Sequence, residues 1–226
     1  MRVLVVAATR LEVAPLISAV ALPVERDRMV SGLFGAHQVD VLLTGVGMVA
    51  TAVWCARVLA TEHYDVALNL GICGSFNPAL PPPTVVHVTH DMFSELGVED
   101  GPRFLTLQEL GLLEPNAFPF SNGRLENDAP PSSLPTLLEL PVAGGITVNT
   151  AHGEEVSIAG IVARCAPDVE SMEGAAFMYA CRVAGVPFAQ VRAVSNRVER
   201  RNRASWDLVG AVQRLGRVSR RLLEQA

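Results

Sequence analysis

The stretch "RVLVVAATRLEV", residues 2–13, is apolar at consecutive rather than alternate positions from Val3 to Ala8. That pattern belongs to a strand covered on both faces by other layers. The run is too short for a signal-peptide core or a membrane span, and a carboxylate, Glu12, follows closely. It reads as the opening strand of a buried sheet, with Glu12 in the first turn of what comes next. Five more runs share its character: "VDVLLTGVG" (39–47), "VALNLGI" (66–72), "TVVHVTHD" (84–91), "AGGITVNT" (143–150) and "FAQVRAVS" (188–195). Between them, "MVATAVWCARVLATEH" (48–63) and "EGAAFMYACRVAG" (173–185) are helical in pattern, the second stopped by Gly185 and Pro187. From Ser205 onward, Trp206, Val209, Val212, Leu215, Val218 and Leu222 recur three or four apart, an amphipathic terminal helix. Alternating strands and helices predict an α/β sandwich around a largely parallel sheet, one domain over residues 1–226. Residues 113–141 hold many of the chain's 15 prolines and read as a long surface loop within it.

Half of the residues are hydrophobic and 18% are charged, as expected of a packed globular chain rather than a disordered one. A net charge of −5 gives no reason to expect nucleic acid or an anionic membrane as partner. The basic cluster between Arg192 and Arg203 is interrupted by Glu199, lacks aromatic spacing and reads as a solvated loop. All 18 basic residues are Arg, so Schiff-base chemistry, a P-loop lysine and a Ser-Lys dyad are excluded. Cys55, Cys73, Cys165 and Cys181 sit in apolar segments without C-x-x-C spacing, which points to reduced thiols and a cytoplasmic protein. His87 and His90 face opposite sides of a strand, and His37, His63 and His152 are isolated. No metal and no cofactor are expected.

Ligands of open α/β sheets lie beyond the carboxyl ends of the strands, so the informative residues are the polar ones where apolar runs stop. Glu12 is either a carboxylate favoured by a helix N-terminus or a general base facing the strand ends. Gly45 and Gly47 in "LTGVGMVATA" allow a tight turn into a helix whose free N–H groups suit an anion or a sugar. In "NLGICGSF", Gly71 and Gly74 allow close backbone approach, while Ser75 lacks the flanking glycine of a nucleophile elbow. Glu173 opens an Ala-rich helix, either as a cap or as a buried carboxylate at a pocket floor. Beside it, Met172 is ordinary core packing or part of that pocket. Finally, "VRAVSN" ends in Ser195 and Asn196, where a buried strand meets a charged segment.

Taken in order, the early Glu, "GVG", "NLGICG", "VNT", "ESMEG" and "VRAVSN" resemble the purine nucleoside phosphorylase and nucleosidase superfamily over essentially the full chain. The resemblance implies a three-layer α/β/α sandwich with a mixed, partly barrel-like central sheet. Hexameric phosphorylases of that superfamily hold phosphate with an Arg just before the G-x-C-G turn. Asn69-Leu70 stands there in this chain, which favours water as the nucleophile. Methylthioadenosine/S-adenosylhomocysteine nucleosidases share the early Glu and the Met-Glu pair, but their strand ends in Ser-Asp. An Asp can protonate N7 of adenine; an Asn cannot, although its amide can donate to N7 or O6 of a 6-oxopurine. Within the superfamily the chain is therefore most similar to the futalosine hydrolase family, which acts on the futalosine route to menaquinone and releases hypoxanthine. Residues 91–112 and 195–208 share that family's pattern.

The resemblance implies N-glycosidic hydrolysis through an oxocarbenium-like transition state. Glu12 would activate water, Glu173 would hold the ribose hydroxyls, and Asn196, steadied by Ser195, would bind the leaving base. Met172 would pack on the sugar, Val148 would line the base, and Gly45, Val46, Gly47, Ile72, Cys73 and Gly74 would form the ribose wall. Arg103 is a candidate for the substrate's far carboxylate, reaching in from a neighbouring subunit. The partners implied are a small-molecule nucleoside and water, with the chain as a homo-oligomer (dimer or higher). The alternatives are an adenosine-type nucleosidase, a 6-oxopurine phosphorylase, or a nucleoside-binding protein without catalysis.

Overall fold

The computed structural model describes residues 1–127 and 130–225. β1 (Arg2–Ala7) runs into α1 (Arg10–Ile17), and β2 (Ala21–Arg26) and β3 (Met29–Phe34) form a hairpin beside β4 (His37–Leu43). α2 (Met48–Leu59), β5 (Val66–Ser75) and β6 (Val85–Asp91) follow, then the ribbon β7 (Gly97–Asp100) and β8 (Arg103–Thr106), and the short β9 (Leu125–Glu126). The chain closes with β10 (Val142–Thr147), α3 (Glu155–Cys165), β11 (Val169–Ser171), α4 (Gly174–Ala184), β12 (Phe188–Arg197) and α5 (Leu208–Glu224).

The principal sheet runs β11-β10-β6-β12-β5-β1-β4-β3-β2. β11 also pairs with β5, so β5, β12, β6, β10 and β11 close on themselves while the other strands spread as an open wing. The run in β1 is consecutively apolar because both of its faces are covered. Val3, Val5 and Ala7 join a core with Val13 and Leu16 of α1 and Leu215 and Leu222 of α5. Leu4 and Val6 face the opposite core, with Cys55 of α2 and Phe177 and Met178 of α4. Helices on both faces of a mixed sheet give the expected three-layer α/β/α sandwich.

Two expectations need correction, and two further elements were not foreseen. The sheet is not largely parallel: β12 runs antiparallel to β6, and β11 to β5, because a curled sheet can close with a reversed strand. The β2–β3 hairpin and α3 were not anticipated; β2 is exposed throughout, and α3 buries only Ile161. Residues 113–141 are not simply a surface loop. Leu134 and Leu137, beside a 3-10 turn over Pro135–Glu139, enter the α1/α5 core, and Leu125 of β9 enters the other. The segment is a strap anchored on both sides of the sheet.

Candidate active site

The site grows out of a fork in β5. One edge of this strand pairs with β1 from Val66 to Asn69, then with β11 at Gly74 and Ser75. Between those pairings the Ile72 N–H is released from the ladder and donates to Glu12 Oε1 at 3.1 Å. Thr9 N–H and the Thr9 hydroxyl both donate to Glu12 Oε2 at 2.8 Å, a capping-box arrangement at the start of α1. Glu12 thus closes the cap of its own helix and is also buried beside the strand ends. Gly71 is required here. A Cβ at that position would lie 2.1 Å from Arg192 Nη1 and 3.0 Å from Glu12 Oε1.

Glu173 stands at the N-terminus of α4 without capping it. Its Oε1 accepts the Gly47 N–H at 3.0 Å, so the anion that fills the amino end of α2 is this carboxylate. Gly47 takes φ of +102°, a conformation an L side chain rarely adopts. Glu173 Oε2 lies 3.7 Å from Nη1 of Arg192, which is 1% exposed in the middle of β12. Arg192 Nη2 donates to Asn69 Oδ1, and Asn69 Nδ2 donates to the Val6 carbonyl. Burial pushes the Glu173 carboxyl above its ordinary range, opposed by Arg192 and the Gly47 N–H, while Glu12 adds to the rise. Arg192 is thus not part of the solvated basic cluster. A charged residue inside "FAQVRAVS" was the signal that it has a partner in the core.

Below the start of α4 lies a further buried carboxylate. Asp91 accepts from Met92 N–H (2.8 Å), the Thr147 hydroxyl (3.0 Å) and Gln190 Nε2 (2.9 Å). Thr147 Oγ1 in turn accepts the Ala175 N–H at 2.7 Å, linking Asp91 to the first turn of α4. Burial raises the Asp91 carboxyl to about 6, against the pull of those donors.

At the other end of the site, β12 carries a bulge. Val194 pairs with Cys73, Ser195 is the extra residue, and Asn196 pairs with Gly74. The added residue turns the Asn196 side chain to the face opposite Val194. Ser195 Oγ donates to Asn196 Oδ1 at 2.8 Å, and Asn196 Nδ2 gives one hydrogen to the Arg197 carbonyl at 2.9 Å. One amide hydrogen remains for a ligand. Glu170 of β11 registers on the same Gly74 from the opposite side. A Cβ at Gly74 would lie 2.8 Å from Val198 Cγ2 and 3.4 Å from both Asn196 Nδ2 and Glu170 Cγ.

These residues border one cavity of about 350 Å³, large enough for a nucleoside. Of the residues singled out in the sequence, Glu12, Val46, Ile72, Cys73, Gly74, Val148, Met172, Glu173, Ser195 and Asn196 line it. Gly45 and Gly47 do not; they shape the turn behind it, Gly45 donating its N–H to the Ala8 carbonyl. Arg103, at the start of β8, lies outside the cavity walls of this chain. Ser75 turns its hydroxyl to the Asn77 carbonyl. Sequence reasoning missed Arg201 and Trp206 at the cavity rim, and also the pair Glu170 and His152. His152 is not isolated: its ring and backbone both bond Glu170. Among the described residues, no three His, Cys, Asp or Glu side chains cluster as metal ligands.

A family model described as the phosphorylase superfamily matches residues 2–225. A futalosine hydrolase from Acidothermus cellulolyticus is 34% identical over 211 residues, spanning 86% of this chain and 84% of that protein. Another from Thermus thermophilus is 32% identical, spanning 81% of this chain and 80% of its own length. Among solved structures, an S-adenosylhomocysteine nucleosidase from Streptococcus pyogenes, in complex with 5-methylthiotubericidin, superposes with a TM-score of 0.83. That match covers 99% of this chain and 96% of the other at 20% identity, which speaks for the fold alone. Matched from end to end by the family model, and above 30% identity to relatives over four-fifths of its length, the chain belongs to the phosphorylase superfamily and, within it, to the futalosine hydrolase family.

Proposed function

We propose that this chain hydrolyses the N-glycosidic bond of futalosine, releasing hypoxanthine and dehypoxanthine futalosine, with its whole length working as one nucleosidase domain. The observation that carries the reading is the arrangement of one cavity, with two buried carboxylates at one end and an amide donor at the other. Glu12, oriented by three donors, keeps one lone pair, on Oε1, free to take a proton from water as the water attacks the anomeric carbon. Glu173 accepts hydrogen bonds from the ribose hydroxyls, contacts that tighten as the sugar flattens towards an oxocarbenium ion. Met172 packs on the sugar, and Ile72 to Gly74 with Val46 form its wall. The free Asn196 amide hydrogen meets the purine where negative charge collects as the bond breaks, and Ser195 fixes the amide's orientation. No cofactor enters this scheme.

Phosphorolysis is disfavoured by Asn69. It offers no cation, and its side chain is spent on Arg192 and the Val6 carbonyl. An adenosine-type reaction is disfavoured by Asn196, which has no acid to give N7. We place the protein in the cytoplasm on its four free thiols. No helix among the described residues is long and apolar enough to cross a membrane. Self-association into a homo-oligomer is supported by apolar residues left exposed on adjoining helices, Val49 and Val53 of α2 and Tyr179 and Val183 of α4.

The test is to incubate the protein with futalosine, methylthioadenosine and inosine, each with and without phosphate, and to chromatograph the released bases. Hypoxanthine from futalosine without phosphate is the expected result. Release from inosine only when phosphate is present would overturn the assignment.

A further inference from the structure

The reaction outlined above leaves one buried, hydrogen-bonded pair in the cavity wall without a task. His152 Nδ1 lies 2.7 Å from Glu170 Oε2, and the His152 N–H donates to Glu170 Oε1 at 3.1 Å. Both carboxylate oxygens are thus engaged by one residue. Glu170, its side chain 6% exposed, and Asn196 both register on Gly74, from opposite edges of β5. Phe76 meets the imidazole edge-on at 6.2 Å between ring centres, fixing its tilt. In the tautomer that donates Nδ1–H to Glu170, Nε2 is the ring's acceptor. No described residue of the protein hydrogen-bonds that nitrogen.

A purine presents N7, the substituent on C6, and N1 in succession along one edge. In a 6-oxopurine N1 carries a hydrogen; in a 6-aminopurine it carries a lone pair. Asn196 and His152 both line the cavity, Asn196 in register with Gly74 and His152 bonded to Glu170, which shares that register. We infer that His152 is a specificity-determining residue whose Nε2 accepts the N1–H of a 6-oxopurine, with Glu170 as the positioning residue that fixes the tautomer. This rests on the nucleoside-hydrolase reading and deepens it. Asn196 alone tolerates an adenine poorly for want of an acid; His152 adds active rejection, setting lone pair against lone pair at N1.

The experiment measures kcat/KM for futalosine and for its 6-amino counterpart in the wild type, H152F, E170Q and E170A. H152F keeps a ring of similar size and removes both nitrogens. The expected result is a loss of ~10²-fold or more for the 6-oxo substrate, with the 6-amino substrate unchanged or improved, the asymmetry of a site that reads a polar group. E170Q, which still accepts from Nδ1–H, should lose less than E170A. Equal losses on both substrates, or none, would overturn the role of His152. A wild type that cleaves neither nucleoside would instead overturn the hydrolase reading. If H152F does not fold, the wild type decides: ¹⁵N resonances of the His152 ring should show the Nδ1–H tautomer, with Nε2 shifting on addition of hypoxanthine and not of adenine. An unshifted Nε2 sinks the inference.

Discussion

At the Glu12–Glu173 end of the cavity, the charged groups are tied to the protein: three donors on Glu12, the Gly47 N–H and Arg192 on Glu173, Asn69 on Arg192. At the Asn196–His152 end, each polar residue has its far atom anchored and its near atom free. Asn196 keeps one amide hydrogen, and His152 keeps Nε2. The first end resembles a preorganised electrostatic frame, whose dipoles need no reorganisation when charge develops. The second resembles a reader, whose free atoms are satisfied only by the right ligand. A change at the frame should therefore cost rate or folding whatever the substrate, and a change at the reader should cost choice.

The largest expected effect is at the frame. E12Q should lower kcat by ~10²–10⁴-fold, the scale of a general base, while leaving KM nearly unchanged; hypoxanthine release under saturating futalosine checks this, and retained turnover removes Glu12 from the chemistry. Next, R192M should destabilise the fold by about 3–5 kcal/mol, because Glu173 would remain as a buried charge without its cation. A urea midpoint unchanged from wild type would show that the pair is not structural. At the reader, N196A should cost about 10²-fold in kcat/KM with normal stability, as for the loss of one donor to a developing anion. Loss of stability instead would move Asn196 from reader to frame.

The last effect is on stability alone and concerns the support beneath the frame. Because the folded state holds the Asp91 proton up to about pH 6, against 3.8 for the free side chain, it binds more protons than the unfolded chain between those values. Stability from this group is therefore greatest at low pH and falls as pH rises from about 4 to about 6, by up to about 3 kcal/mol. In D91N a turned Gln190, whose Oε1 lacks a partner, can accept from the new amide, and this slope disappears. The difference between wild-type and D91N unfolding free energies at pH 4 and pH 7 measures it. An equal difference at the two pH values would mean that Asp91 titrates normally.

The frame was half legible in the sequence, and the reader less so. Glu12 and Glu173 stand at ends of apolar runs, where a single carboxylate is conspicuous. Arg192 was hidden by its neighbours Arg197, Arg200 and Arg201, which share its charge but not its burial. The Glu170–His152 bond joins residues 18 apart across a helix, which no periodicity announces. The bulge at Ser195 was equally invisible, for it depends on how β12 meets β5. Likewise the edge strand β2 is exposed along its whole length, so its formation leaves no apolar alternation to read.

β5 is shared by the closed ring and the open wing, which has a consequence for how the molecule breathes. Neither part can detach without stripping the other of a partner strand, so the two cannot open as independent cooperative units. Backbone amides from Val66 to Leu70 should exchange with solvent deuterons only through global unfolding, the slowest class in the chain. The Ile72 amide, bonded to a side chain instead of a neighbouring strand, should exchange sooner, marking the fork as a soft point in an otherwise locked strand.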